Sequence, residues 1–110
     1  MVAIPVGSEF QVNTFTTEGQ DYPEIAEDAN GNFIIVWESY EQDGDGNGIF
    51  AQRYNADGTP DGSEFQVNTF TTGDQLDARV AFDGDGDFVI TWGSYGQDGD
   101  GDGIFAQRYN

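Results

Sequence analysis

Asp43-Gly44-Asp45-Gly46-Asn47-Gly48 and Asp98-Gly99-Asp100-Gly101-Asp102-Gly103 set an acid or amide at every second residue, with glycine between. Calcium suits that spacing, because it takes about six to eight oxygen ligands. Alternate side chains of a tightly curling loop can turn toward one centre, and glycine lets the backbone curl. The pattern D-x-[DN]-x-[DN]-G is a calcium-loop start. The expected ligands are Asp43, Asp45, Asn47 and the Ile49 carbonyl in the first loop. Asp98, Asp100, Asp102 and the Ile104 carbonyl are their counterparts in the second. The expected cofactor is Ca2+.

An EF-hand needs Glu at loop position twelve, where this chain has Tyr54 or Tyr109, and the residues after each loop pattern as strand. The expectation is therefore a partial calcium loop on a β-hairpin, completed by water or by Ser39 and Ser94, or Gln42 and Gln97. Glu38 and Glu41 are weaker candidates, because their counterparts are Gly93 and Gly96. The competing reading is a solvated hairpin loop whose Gly and Asp serve turn geometry alone. Asp83-Gly84-Asp85-Gly86-Asp87 reads as a turn, since its counterpart Asp28-Ala29-Asn30-Gly31-Asn32 lacks most of the acids.

The remaining residue types exclude more than they suggest. With 21 acids, three cations (Arg53, Arg79 and Arg108) and a net charge of −18, the chain carries no basic footprint for nucleic acid or an anionic membrane. It has no Cys and no His, which removes thiolate chemistry, disulfides, Cys or His zinc sites and His-based triads. Nothing singles out a catalytic carboxylate pair, so no enzyme is expected. Trp37 and Trp92 read as core, with stacking on a sugar ring as the alternative. Arg53 and Arg108 read as strand residues paired with carboxylates, and Phe15 and Phe70 as anchors of a polar connection. Met1-Val2-Ala3-Ile4-Pro5 has no basic region and no long apolar run, so no signal peptide is expected there.

The elements that position these residues come as a repeat. Gly7 to Thr17 recurs letter for letter as Gly62 to Thr72, and Gly48 to Asn55 as Gly103 to Asn110. Residues 1–55 and 56–110 share 34 of 55 aligned residues. A period of this size signals stacked supersecondary units, none able to bury its own apolar face. Within a unit, short β-branched and aromatic runs alternate with Gly, Asp and Asn clusters. The expected strands are Glu9–Asn13, Pro23–Asp28, Asn32–Tyr40, Ile49–Asn55 and Glu64–Asn68, then Arg79–Asp83, Asp87–Tyr95 and Ile104–Asn110. Asn30-Gly31 predicts a two-residue type I′ hairpin turn, and Ala56–Gly62 a turn.

Four hairpin-linked strands per unit make an all-β chain of two four-stranded antiparallel β-propeller blades. Domain one is residues 1–55, an outer strand plus three blade strands, and domain two, 56–110, has the same order. Glu9–Asn13 then has no blade of its own in the first unit, and the second blade lacks its outer strand. Two blades cannot close a ring, so the expected partner is the chain itself, head to tail, in three or four copies. A two-sheet sandwich and a β-solenoid are the alternatives.

Glu-Phe-Gln-Val-Asn-Thr, Asp-Gly-Asp-Phe-Val-Ile-Thr-Trp and Gln-Asp-Gly-Asp-Gly-Asp-Gly-Ile-Phe-Ala-Gln-Arg-Tyr-Asn resemble the tandem repeats of large secreted bacterial proteins that accompany hemolysin-type calcium-binding modules. The resemblance covers nearly the whole chain. More loosely, the acidic loops are similar to those of integrin-type propeller blades, although Ala51 and Ala106 stand where that pattern has an acid. The family implies an extracellular origin, a calcium-rich setting and a structural or adhesive role. A carbohydrate-binding module, with a glycan as partner, and an engineered symmetric scaffold without activity of its own are the rival expectations.

Overall fold

A computed structural model describes residues 2–110; Met1, where the leader reading begins, lies outside the described residues. The described chain is all β. Strands β1 (Gln20–Glu27), β2 (Phe33–Tyr40), β3 (Asn47–Tyr54) and β4 (Pro60–Gln66) form one antiparallel sheet in sequence order. β5 (Gln75–Phe82), β6 (Phe88–Tyr95) and β7 (Asp102–Tyr109) form a second sheet of three. The two sheets repeat one another: Trp37 pairs with Phe50 as Trp92 pairs with Phe105, 55 residues on.

Alternation decides which face is buried. Ile34 and Val36 of β2, with Ile49 and Ala51 of β3 and Val67 just beyond β4, pack against Ala78, Phe88, Ile90 and Trp92 of the second sheet. This is the core, and it lies between the sheets. The first sheet's opposite face carries Phe33, Ile35, Trp37 and Tyr54, with the Phe33 and Tyr54 rings stacked at 5.0 Å. The second sheet repeats the stack in Phe88 and Tyr109 at 4.9 Å. Arg53 lies over Phe88, 5.2 Å from the ring centre, and Arg79 pairs with Glu24 at 3.2 Å, so both cations bridge the sheets.

Several local expectations are corrected. The Asn30-Gly31 turn is not type I′, because only Gly31 has positive φ, at +86°. Asp28 N donates to Asn32 O across a three-residue loop ending in a left-handed glycine. Asp28 also accepts from the backbone of Asn30 and Asn32, and these bonds hold its carboxyl below the usual range although burial pushes the other way. The same turn recurs at Asn55–Thr59 and Asp83–Asp87, with Gly58 and Gly86 as the left-handed residues. β1 and β5 begin earlier than the periodicity predicts, at Gln20 and Gln75, because a bulge interrupts each one. Tyr22 and Asp77 sit at positive φ in those bulges, and Pro23 lies there too, where no ladder N–H is required of it. β4 likewise begins at Pro60, since Asp61-Gly62 forms an irregularity inside the strand and not a turn before it. Glu9–Asn13 belongs to no strand.

Candidate functional site

The acidic loops are shaped by backbone hydrogen bonds. Glu41 N donates to Gly46 O at 2.7 Å and Gly44 N to Glu41 O at 3.0 Å; in the second loop Gly96 N donates to Gly101 O at 2.8 Å and Gly99 N to Gly96 O at 3.1 Å. The first loop's side chains are engaged by the protein. Asp43 Oδ2 accepts Gln66 Nε2 at 2.8 Å, and Asp43 Oδ1 accepts Asp45 N at 3.2 Å. Asp45 Oδ2 accepts Gly73 N at 2.9 Å, while Asn47 N donates to Asp74 Oδ1 at 2.9 Å. The loop thus docks on the connection leading into β5. Gly46 is needed there, because a Cβ would come within 2.5 Å of Asp74 Oδ1, and the φ is +68°.

Asp98, Asp100 and Asp102 are exposed, with Asp98 Oδ1 accepting Asp100 N at 3.2 Å. A Cβ on Gly101 would meet nothing within 4 Å. Ile49 O accepts Val67 N at 2.8 Å, whereas Ile104 is 81 % exposed. Among the described residues no three acidic side chains gather where a metal ion could sit. Asp43 and Asp45 keep further lone pairs beside the bonds from Gln66 and Gly73.

The edge of the sheets is where the two units differ. In the first sheet the outer segment, β4 through Asn68, is bonded to β3 and the acidic loop by side chains as well as by the ladder. Gln42 Nε2 donates to Glu64 Oε2 at 2.8 Å, and Glu64 Oε1 accepts Thr14 N and Thr14 Oγ1, each at 2.9 Å. Gln66 holds Asp43, as above. Ile49 N donates to Asn68 Oδ1 at 2.8 Å, and Asn68 Nδ2 donates to Phe70 O and Gln75 Oε1, each at 2.9 Å. Beneath Glu64, Ser39 Oγ donates to Gln42 Oε1 at 2.6 Å.

The second unit carries the counterparts Gln97, Asp98 and Ile104, and among the described residues no such segment pairs with β7. Ile49 is fully buried, and its counterpart Ile104 in β7 is exposed. Ser94 Oγ and Gln97 Oε1, the counterparts of the bonded Ser39–Gln42 pair, are buried with no hydrogen-bond partner. The indole nitrogens of Trp37 and Trp92 are also unpartnered; they are so in both units, and nothing in the structure explains them. Among the described residues, the buried Ser and Gln oxygens without a partner are those of Ser94 and Gln97, where the outer strand is absent.

Residues 9–13, identical to 64–68, lie on the first sheet's outer face. Phe10 contacts Tyr54 with ring centres 5.3 Å apart, as Phe65 contacts Tyr109 at 5.5 Å. Asn13 Nδ2 donates to Phe15 O at 2.8 Å and Gln20 Oε1 at 3.0 Å, repeating the Asn68 pattern. Asn13 Oδ1 has only a 3.5 Å contact from Gln11 Nε2. Between this segment and the sheet is an open groove of about 370 Å³ lined by Phe10, Val12, Pro23, Ile35 and Trp37. Sequence reasoning singled out residues 9–13 as unplaced but missed Glu64, Gln66 and Asn68 as hydrogen-bonding residues. Their exact recurrence at 9, 11 and 13, polar every second residue, was the available signal.

One further charged group is buried between the sheets. Glu38 accepts Asp77 N at 2.8 Å; burial raises its pKa, with Asp77, Asp21 and Asp74 adding to the rise against the effect of that bond. Trp37 and Trp92 are 4 % and 6 % exposed, so both rings are largely buried in the single chain. Comparison with known proteins finds no matching family model, no matching curated protein and no matching solved structure.

Proposed function

We propose that the chain is a non-enzymatic β-propeller repeat fragment, structural or adhesive in an extracellular parent, that assembles head to tail into a closed ring of copies of itself. Each sheet is then one blade. The observation that carries this reading is the pairing of opposites: an open β7 edge at one end, and at the other a segment identical to the one that fills the same edge of β3. A head-to-tail contact closes when the rotation permits, and three or four chains would give six or eight blades. Closure also removes an open edge, which is otherwise a template for uncontrolled pairing.

Calcium belongs to the proposal through charge. Neutralising acidic loops on a chain of net charge −18 relieves self-repulsion, and an ion bound only by the folded state stabilises it by linkage. Native mass spectrometry over a dilution series, with calcium or with EDTA, tests both parts. The expected result is a ring of three or four chains carrying metal, with a melting temperature that falls in EDTA. A monomer at every concentration overturns the assembly; an identical melting curve in EDTA overturns the calcium.

A further inference from the structure

We infer that the free edge of β7 reads the sequence of the strand it accepts, and that its occupant is Ser8–Thr14 of a second copy. The inference rests on the head-to-tail reading and adds a recognition code to it: carboxylate, carboxamide, carboxamide at alternate positions.

Main-chain pairing alone gives affinity without choice, and choice in strand addition comes from alternate side chains. In the first sheet those side chains can be read directly. Glu64 receives Gln42 Nε2 and the amide and hydroxyl of Thr14. Gln66 donates to Asp43, and Asn68 accepts from the buried amide of Ile49. Adding the repeat offset to the acceptor side gives Gln97, Thr69, Asp98 and Ile104, all identical in type to their counterparts. On the donor side the same offset gives Glu9, Gln11 and Asn13, also identical. The second copy's Glu9 would therefore sit on Gln97 and Thr69, its Gln11 on Asp98, and its Asn13 on the Ile104 amide.

Two observations independent of the repeat support this placement. Ser94 Oγ and Gln97 Oε1 are buried without partners, whereas the first unit's Ser39–Gln42 bond is closed where Glu64 holds the other end of Gln42. Asn13 already spends both donors as Asn68 does and leaves its acceptor without a good partner. A strand lacking the terminal amide would bury the Ile104 N–H unpaired, and removing one partner of a buried hydrogen bond is the costly case. Such a code restrains an open edge from taking arbitrary strands.

The probe is the fluorescently labelled peptide Gly-Ser-Glu-Phe-Gln-Val-Asn-Thr-Phe-Thr. The full chain is refolded from denaturant in peptide excess, so that every β7 edge meets peptide as it forms. Native mass spectrometry counts adducts and fluorescence anisotropy gives affinity. Parallel peptides carry the changes Glu9→Ala, Gln11→Ala or Asn13→Ala, and one has the same composition scrambled. The expected result is one parent peptide per chain, at least a tenfold loss for Glu9→Ala and Asn13→Ala, and no capture of the scrambled peptide. Equal capture of all five peptides overturns the code while leaving head-to-tail assembly standing. Where rings form and exclude the peptide, the full chain with residues 8–14 scrambled decides: rings that still form from it overturn the β7 receptor, since the copies must then join elsewhere. A monomer that captures nothing overturns both readings.

Discussion

Asn68 and Asn13 occupy the same place in two units, and replacing each with leucine should have very different consequences. Asn68 is 4 % exposed and makes three hydrogen bonds of 2.8 to 2.9 Å. Leucine of similar size leaves the Ile49 amide and Gln75 Oε1 without partners, and both residues are fully buried. Each of the two buried orphans costs about 1–3 kcal/mol, and the added apolar contact offsets about 1 kcal/mol, so Asn68→Leu should lose roughly 1–5 kcal/mol. Asn13 bonds only Phe15 O and Gln20 Oε1, in half-buried surroundings that water can reach. Its replacement should cost less than about 1 kcal/mol in the isolated chain. Urea unfolding followed by tryptophan fluorescence, at concentrations where the chain is monomeric, measures both; the slope should be unchanged and the midpoint should move. At assembling concentrations the parent gains stability by mass action, and the Asn13→Leu chain should not. Equal losses for the two variants in dilute solution would refute the reasoning, because Asn13 would then already hold a buried amide within its own chain.

Two further substitutions probe the local geometry. Glu41 holds a left-handed φ of +66° where the second unit has Gly96 at +77°. Relief of that strain, less the entropy that glycine adds to the unfolded chain, predicts that Glu41→Gly gains about 0.5–1 kcal/mol; a lower urea midpoint would contradict it. Glu38→Gln keeps an oxygen for the Asp77 amide and removes a buried charge that burial and the neighbouring acids disfavour. The folded state raises the pKa of this acid, so the parent loses stability as pH rises through that folded value. The variant's advantage should therefore be greatest at neutral pH and vanish in acid, as thermal melts across pH would record. An advantage that grows toward acid would reverse the sign and defeat the explanation.

Much of this architecture could be read from the letters alone, because a recurrence of 55 residues fixes which strands are equivalent. The division into four strands and then three follows from where the recurrence is cut. Exposure of Ile104 against burial of Ile49 follows from the same division. Strand starts were less legible. Polar Gln20 and Gln75 carry no β signal, yet they pair with Ser39 and Ser94 in the ladder, beyond each bulge, and their side-chain oxygens accept from Asn13 and Asn68. Turn chemistry was misread at Asn30-Gly31 because the Asp28 side chain, which caps the longer loop, lies outside the dipeptide. The acidic loops gave up least. Their spacing suits a cation equally well as it suits amide donors, and the donors that engage Asp43 and Asp45 come from Gln66 and Gly73, far along the chain.

Phe10 rests on Tyr54, on the side of the first sheet turned away from the second. A tail held there faces away from its own β7. On the head-to-tail reading proposed above, growth by such units would be a polymerisation with directional ends: every open intermediate would display one hook and one socket, whatever its length. Only the meeting of first and last copies would extinguish both, so a chain lacking either end would block one end of a rod and keep that rod from closing.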